Sequence, residues 1–371
     1  MPRKSLRRRR RSSKKSKKTT KKKSTRRSEN SKIRGGGGVF SSVTRRRNYT
    51  PSNPQPINRR VRDLSTRRIN PQSNPQRRAR DLRSQDLIRL PEDIILGQIV
   101  EMHPLLTPKL TNATIERAVK DYIAGGTRKE RVLTKYGEIG NWDVSRVTNM
   151  GGMFQGAKSF NQPLNKWNVS NVTDMNCMFY DAVSFNQPLN NWNVSKVTIM
   201  GGMFMYASSF NQPLNNWNVS NVTSMWRMFK KARSFNQPLN NWNVSKVENM
   251  SFMFHAAHSF NQPLNKWNVS NVTSMNGMFH EARSFNQPVN NWNVSNVTDM
   301  TWMFKGASSF NQPLNKWNVS NVTHMIRMFR EAVSFNQPLN KWNVSNVTHM
   351  HGMFNEARSF NQPLHAPWYY E

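Results

Sequence analysis

The chain has 371 residues, with 55 Lys and Arg against 20 Asp and Glu, a formal net charge of +35. The charge is concentrated: residues 1–84 carry 30 basic and 3 acidic residues, residues 85–140 carry 8 of each, and residues 141–371 carry 17 and 9. A single cysteine, Cys177, excludes a disulfide framework and a cysteine-built zinc site, no apolar run approaches the length of a membrane helix, and the basic N-terminus lacks the apolar segment of a secretory signal.

Residues 1–84 read as a disordered basic tail. The first 34 are nearly all Arg, Lys, Ser and Thr, too poor in apolar surface to offset chain entropy. The densest clusters are Arg7, Arg8, Arg9, Arg10 and Arg11, then Lys14, Lys15, Lys17 and Lys18, then Lys21, Lys22 and Lys23. Gly35 to Gly38 form a flexible joint. Beyond it, Ser52-Asn53-Pro54-Gln55 recurs as Ser73-Asn74-Pro75-Gln76 in a proline-rich, still basic stretch. Such a tail suits a polyanion: each cation that neutralises a phosphate releases counterions, with salt-dependent and sequence-independent affinity. The same clusters fit a nuclear-import signal. These features favour the nucleus or a virion as location, with the cell surface as the alternative.

Residues 85–140 read as a helical cap or junction. Pro91 suits a first helical turn, followed by Glu92 and Asp93, with Ile94, Ile95, Ile99 and Met102 as its apolar side. Thr111 is an N-cap candidate for a helix whose apolar stripe is Ile115, Ala118, Val119, Tyr122 and Ile123, ended by Gly125-Gly126. A further segment runs over about 128–136. A solenoid needs its first open core face covered, and these helices precede one. The string Leu90-Pro91-Glu92-Asp93-Ile94-Ile95 also resembles the opening of an F-box, the motif of ubiquitin-ligase substrate receptors.

From residue 141 to 366 the sequence repeats every 25 residues. Tryptophan stands at 142, 167, 192, 217, 242, 267, 292, 317 and 342, and Ser-Phe-Asn-Gln-Pro begins at 159 and recurs at the same period. Near-identity over nine units marks a stacked architecture. In one unit Trp167 and Val169 share one side of a short strand, and Met175, Met178, Phe179 and Ala182 follow at helical spacing. Neither piece is stable alone, and strand following helix following strand predicts a parallel array. The expected fold is an α/β repeat solenoid, one short parallel strand and one short helix per unit, with residues 367–371 as its C-terminal end.

The pattern Leu164-x-x-Trp167-x-Val169-x-x-Val172-Thr173-x-Met175-x-x-Met178-Phe179-x-x-Ala182-x-x-Phe185 resembles the BspA-like, Treponema-type leucine-rich repeat. Its form Trp-Asn-Val-Ser-Asn-Val-Thr-x-Met, with Met-Phe and Ser-Phe-Asn-Gln, is similar to repeats of mycoplasma-type surface lipoproteins, and related repeats occur in proteins of large DNA viruses. The resemblance covers residues 141–366 and implies a horseshoe used for adhesion or partner recognition. The chain departs from it in carrying a basic tail and no lipidated cysteine.

Two surfaces are candidates for recognition. The invariant one holds Asn168, Asn193, Asn218, Asn243 and Asn268, expected as polar ladders on the strand face and suited to a repetitive ligand such as a glycan. The variable one lies on the outer side of the helical segment, with Trp226, Arg227, Lys230, Lys231, Trp302 and Arg327 exposed, and suits a protein partner. The alternative is duplication followed by drift at solvated positions. No catalytic constellation or phosphate-binding loop is present, so the expectation is a non-enzyme with no cofactor. His255 and His280, and His324 and His349, occupy equivalent places one unit apart. They are expected to be solvated, with no acid beside them at metal-ligand spacing.

Overall fold

In the computed structural model, residues 107–364 are described. The basic clusters from Arg7 to Lys23, the helix expected from Pro91, the F-box-like string and the last residues of the chain lie outside the described residues.

Two helices open the described chain, α1 (Asn112–Ala124) and α2 (Gly126–Tyr136). Thr111 caps α1 as its sequence predicts. Its side chain and that of Thr114 close a capping box, the Thr111 N–H donating to Thr114 Oγ1 at 3.0 Å. Gly125, at φ +73°, separates the two helices. Ile115, Ala118, Val119 and Tyr122 of α1 and Val132 and Tyr136 of α2 are buried in the same core as the repeats.

The helices stand in for a unit that would precede the first repeat. In later units the N–H of the residue before the bridge donates to the carbonyl of its counterpart in the unit before, as Thr173 does to Thr148 at 2.8 Å. At the first unit Asn112 Oδ1 takes that role, accepting from Thr148 N at 2.9 Å and Asn149 N at 3.2 Å. Trp142 likewise finds aromatic company in Tyr122, at 5.8 Å and edge-on, and in Tyr136 at 5.9 Å.

The repeats form a solenoid. Parallel bridges join neighbouring units at one residue each, from Asn149 with Asp174 through to His324 with His349. Parallel pairing is as expected, but the strand and helix of each unit are not. Among the described residues no repeat contains a strand or an α-helix. Trp167 and Val169 lie outside any ladder, and the pairing residue is Asp174, later in the unit.

The expected helix is a run of tight turns. In the first unit Met153 N donates to Met150 O at 3.2 Å with Gly152 at φ +63°, and Ala157 N donates to Phe154 O at 3.1 Å with Gly156 at φ +72°. An i→i+3 bond with positive φ at the third residue is the type II turn. The alternate N–H groups point along the stack. Met225, Arg227, Phe229 and Lys231 donate to the carbonyls of Asn249, Ser251, Met253 and His255 in the next unit, at 2.7–3.0 Å. A helix would satisfy these donors internally, whereas this conformation directs them to the neighbouring unit.

The core is continuous along the stack. In one unit Leu214, Trp217, Val219, Val222, Met225, Met228, Phe229, Ala232 and Phe235 are all 3% exposed or less. Like stacks on like: Phe229 on Phe254 at 5.7 Å and Trp217 on Trp242 at 6.4 Å, planes within 6° and 1°. The indole N–H of each tryptophan in the core column is satisfied, as Trp242 Nε1 donates to Leu214 O of the unit before at 2.9 Å.

Candidate functional site

Three expected groups of site residues meet different outcomes. The cationic clusters from Arg7 to Lys23 fall outside the described residues. Asn168, Asn193, Asn218, Asn243 and Asn268 are exposed, as expected of a surface ladder. Each nevertheless serves the fold itself, because its Oδ1 accepts from the backbone N–H of the serine two residues on, at 3.1–3.2 Å. This Asx turn shapes the chain before the bridge, and it accounts for the invariance of these asparagines without a ligand. A second asparagine column ties units together. Asn236 Oδ1 accepts from Asn261 N at 2.9 Å and from Gln262 Nε2 at 3.1 Å.

The variable residues gather on the face of the tight turns. Because each unit adopts the same turns, residues 25 apart stand side by side. Trp226, Arg227, Lys230, Lys231, Trp302 and Arg327 are half-buried rather than fully exposed, since each leans on its neighbour in the stack. The Arg227 guanidinium lies 4.1 Å from the Trp226 ring centre and 5.6 Å from that of Phe252. Lys230 Nζ sits 5.5 Å from the Phe252 ring, and Lys231 Nζ 4.8 Å from that of Tyr206. Cations over aromatic faces are attracted by the ring quadrupole. None of the ion pairs among the described residues involves Arg227, Lys230 or Lys231. Burial, and then Arg227 and Lys231 beside it, hold the Lys230 ammonium below the usual lysine value.

Next along the stack lies an aromatic and imidazole patch that the sequence did not single out as a unit. Phe252 contacts His255 at 5.6 Å and Trp302 at 6.3 Å between ring centres. His255 and His280 stack at 4.3 Å, and His280 lies 6.2 Å from Trp302. Phe252 reaches Trp302 because Gly277 stands between them: a Cβ there would come within 2.4 Å of the Phe252 ring. The expectation that these histidines are solvated and lack an acid is corrected on both counts. Both are half-buried, and Glu281 Oε1 lies 3.6 Å from His280 Nε2. Burial, helped by His280 and nearby cations, pushes His255 down to about 3. Burial and Lys305 push His280 down to about 4, against the pull of Glu281 and Glu331. Both rings are therefore neutral at pH 7.

His324 and His349 also stack, at 4.6 Å, but each Nδ1 is 2.8 Å from the hydroxyl of the preceding threonine. Cys177 is half-buried, and burial followed by Asp174 raises its thiol above the usual value, so it is not an activated nucleophile. The groove along α1 and α2, about 640 Å³, holds charges that pair within it, Lys120 with Glu116 and Arg117 with Asp121.

A family model described as "Mycoplasma protein of unknown function, DUF285" matches the chain four times, at residues 128–237, 189–291, 210–313 and 278–370. No curated protein and no solved structure matches the chain.

Proposed function

The chain belongs to this mycoplasma DUF285 repeat family, and from that premise we propose that it is a non-enzymatic scaffold whose turn face recognises a protein partner. The observation behind this reading is the cluster Arg227, Lys230 and Lys231, set among Trp226, Tyr206 and Phe252 with no carboxylate in ion-pair range among the described residues. Aromatic and arginine side chains are the usual energetic anchors of protein interfaces. Three uncompensated cations favour an acidic segment on the partner, because complementary charge guides encounter and sets register. Kinship with BspA-like leucine-rich repeats belongs to the same reading, resting on the shared apolar spacing. The basic arm, residues 1–84, would hold nucleic acid or direct the protein to the nucleus, its 30 cations being the support for this.

The test uses three full-length proteins: the parent, an Arg227→Glu/Lys230→Glu/Lys231→Glu variant and an Asn218→Ala/Asn243→Ala/Asn268→Ala variant. Proteins crosslinked to each in its native cell are compared. The charge-reversed variant is expected to lose the partner and the asparagine variant to keep it. Loss from the asparagine variant alone would move recognition to the other face. For the arm, deletion of residues 1–84 is expected to abolish the salt-dependent affinity for duplex DNA; an unchanged salt slope would reject that role.

A further inference from the structure

We propose that His255, His280 and Glu281 form a site for a divalent transition metal ion of the zinc type. One ligand atom from each lies within 4.8 Å of the other two. His255 Nδ1 and both nitrogens of His280 are shut off from solvent, and none has a hydrogen-bond partner. Buried polar atoms are almost always satisfied, so three such nitrogens in one place are an unmet requirement. A metal ion meets it for one nitrogen of each ring, since it binds the imidazole lone pair.

The set is two imidazoles and one carboxylate, with solvent left for a fourth position. Zinc accepts this donor set, with bonds of about 2.0–2.2 Å. At tetrahedral angles, such bonds separate ligand atoms by about 3.3 Å. The side chains must therefore draw together by about 1.5 Å, which rotation about the histidine and glutamate side-chain bonds supplies. The backbone holds Glu281 in place for this. It sits at φ +54°, and its Cγ would lie only 3.2 Å from a Cβ at Gly306, so the glycine leaves it room. Arg227, Lys230, Lys231 and Lys305 oppose a dication here, and Glu281 and Glu331 favour it. That balance excludes weakly held oxygen-loving ions such as calcium and magnesium, and leaves metals for which imidazole is a strong ligand.

His324 and His349 provide the internal contrast. They stack in the same way, but their Nδ1 atoms are engaged with Thr323 and Thr348. Glutamine is a tolerated replacement at 255 and 280, because Gln155 occupies the equivalent place in the first unit.

The full-length protein, stripped with chelator, is dialysed against zinc chloride with a weak competing chelator, and bound metal is counted after removal of free ion. One zinc per chain is expected for the parent and for His324→Gln/His349→Gln. His255→Gln/His280→Gln should lose it, and Glu281→Gln should bind at least about 10-fold more weakly. Cobalt(II) gives a second readout: the parent should develop visible ligand-field bands that the His255→Gln/His280→Gln variant lacks. Circular dichroism confirms that each variant is folded; if that double variant is not, His280→Gln alone with the cobalt spectrum decides. Equal zinc content in the parent and in His255→Gln/His280→Gln, or no zinc in the parent, overturns the site. The partner-recognition reading is untouched by either result, because its test reads Arg227, Lys230 and Lys231.

Discussion

Gly277 carries more of the turn face than its size suggests, and a Gly277→Ala substitution tests how. The residue sits at φ +57°, where an L side chain costs about 1–2 kcal/mol. The fold already bears that cost at Arg227, Phe252 and Trp302, which occupy the same column at φ 56–57°. The second cost is specific. The new Cβ would lie 2.4 Å from Phe252 Cε1 and 2.5 Å from Cδ1. Ordinary carbon contacts are about 3.5–4.0 Å, so the ring must move by roughly 1 Å. Overpacking of that kind costs about 1–3 kcal/mol. The total is then about 2–5 kcal/mol, and the two parts separate in a double-mutant cycle. In a Phe252→Ala background the clash disappears, and Gly277→Ala should cost only about 1–2 kcal/mol. Urea denaturation of the parent, both single variants and the double variant measures the coupling. Additivity within about 0.5 kcal/mol would refute the reasoning, since the ring and the glycine would then be independent.

Three further outcomes are expected. Trp242→Phe removes the indole donor to Leu214 O, which keeps its bond from Trp217 N, so only the net worth of one buried hydrogen bond, about 0.5–1.5 kcal/mol, should be lost on urea denaturation; no loss would mean the inter-unit bond contributes nothing to stability. Asn236→Ala, which deletes an acceptor serving two donors across a unit boundary, should destabilise more than Asn243→Ala, which deletes one local turn bond, and the reverse order would count against the asparagine ladder. Tyr122 is raised from 10.0 to about 12, first by burial and then by its hydrogen bond to Glu138. The folded state therefore keeps a proton that the unfolded chain gives up, so stability present below pH 10 should fall between about 10 and 12, and Tyr122→Phe should flatten that fall when denaturation midpoints are measured across it.

The repeat boundaries and the core positions were legible because they recur at a fixed period and stay apolar in every copy. The cap was legible from Thr111 and the stripe through Ile115, Val119 and Tyr122. The turns of each unit pass for a helix in sequence for a physical reason. Met175, Met178, Phe179 and Ala182 sit at i, i+3, i+4 and i+7, and successive tight turns bring those positions to one side just as a helix does. The discriminating signal was present: Gly152, Gly202, Gly277 and Gly352 fall in one column, all at positive φ. Glycine recurring inside a helix would be costly, whereas in a left-handed turn position it is the favoured residue. The imidazole patch was hidden differently. His255 and His280 are 25 residues apart, and their contact exists only once the units are stacked, with Glu281 turned toward them.

The bonds across each boundary run in both directions but repeat the same pattern from one boundary to the next, and this bears on how the chain changes over generations. Every unit presents the same donors and acceptors at the same places on each face, as Trp242 Nε1 to Leu214 O and Trp267 Nε1 to Leu239 O show in one direction and Met225 N to Asn249 O and Met250 N to Ser274 O in the other. Deleting or duplicating a whole 25-residue segment by unequal recombination would rejoin faces that already match. Unit number is thus a neutral quantity for the scaffold, while the order of side chains along the turn face is not. The identity of the protein is written in that order, as a sequence of columns that recombination shifts by whole steps.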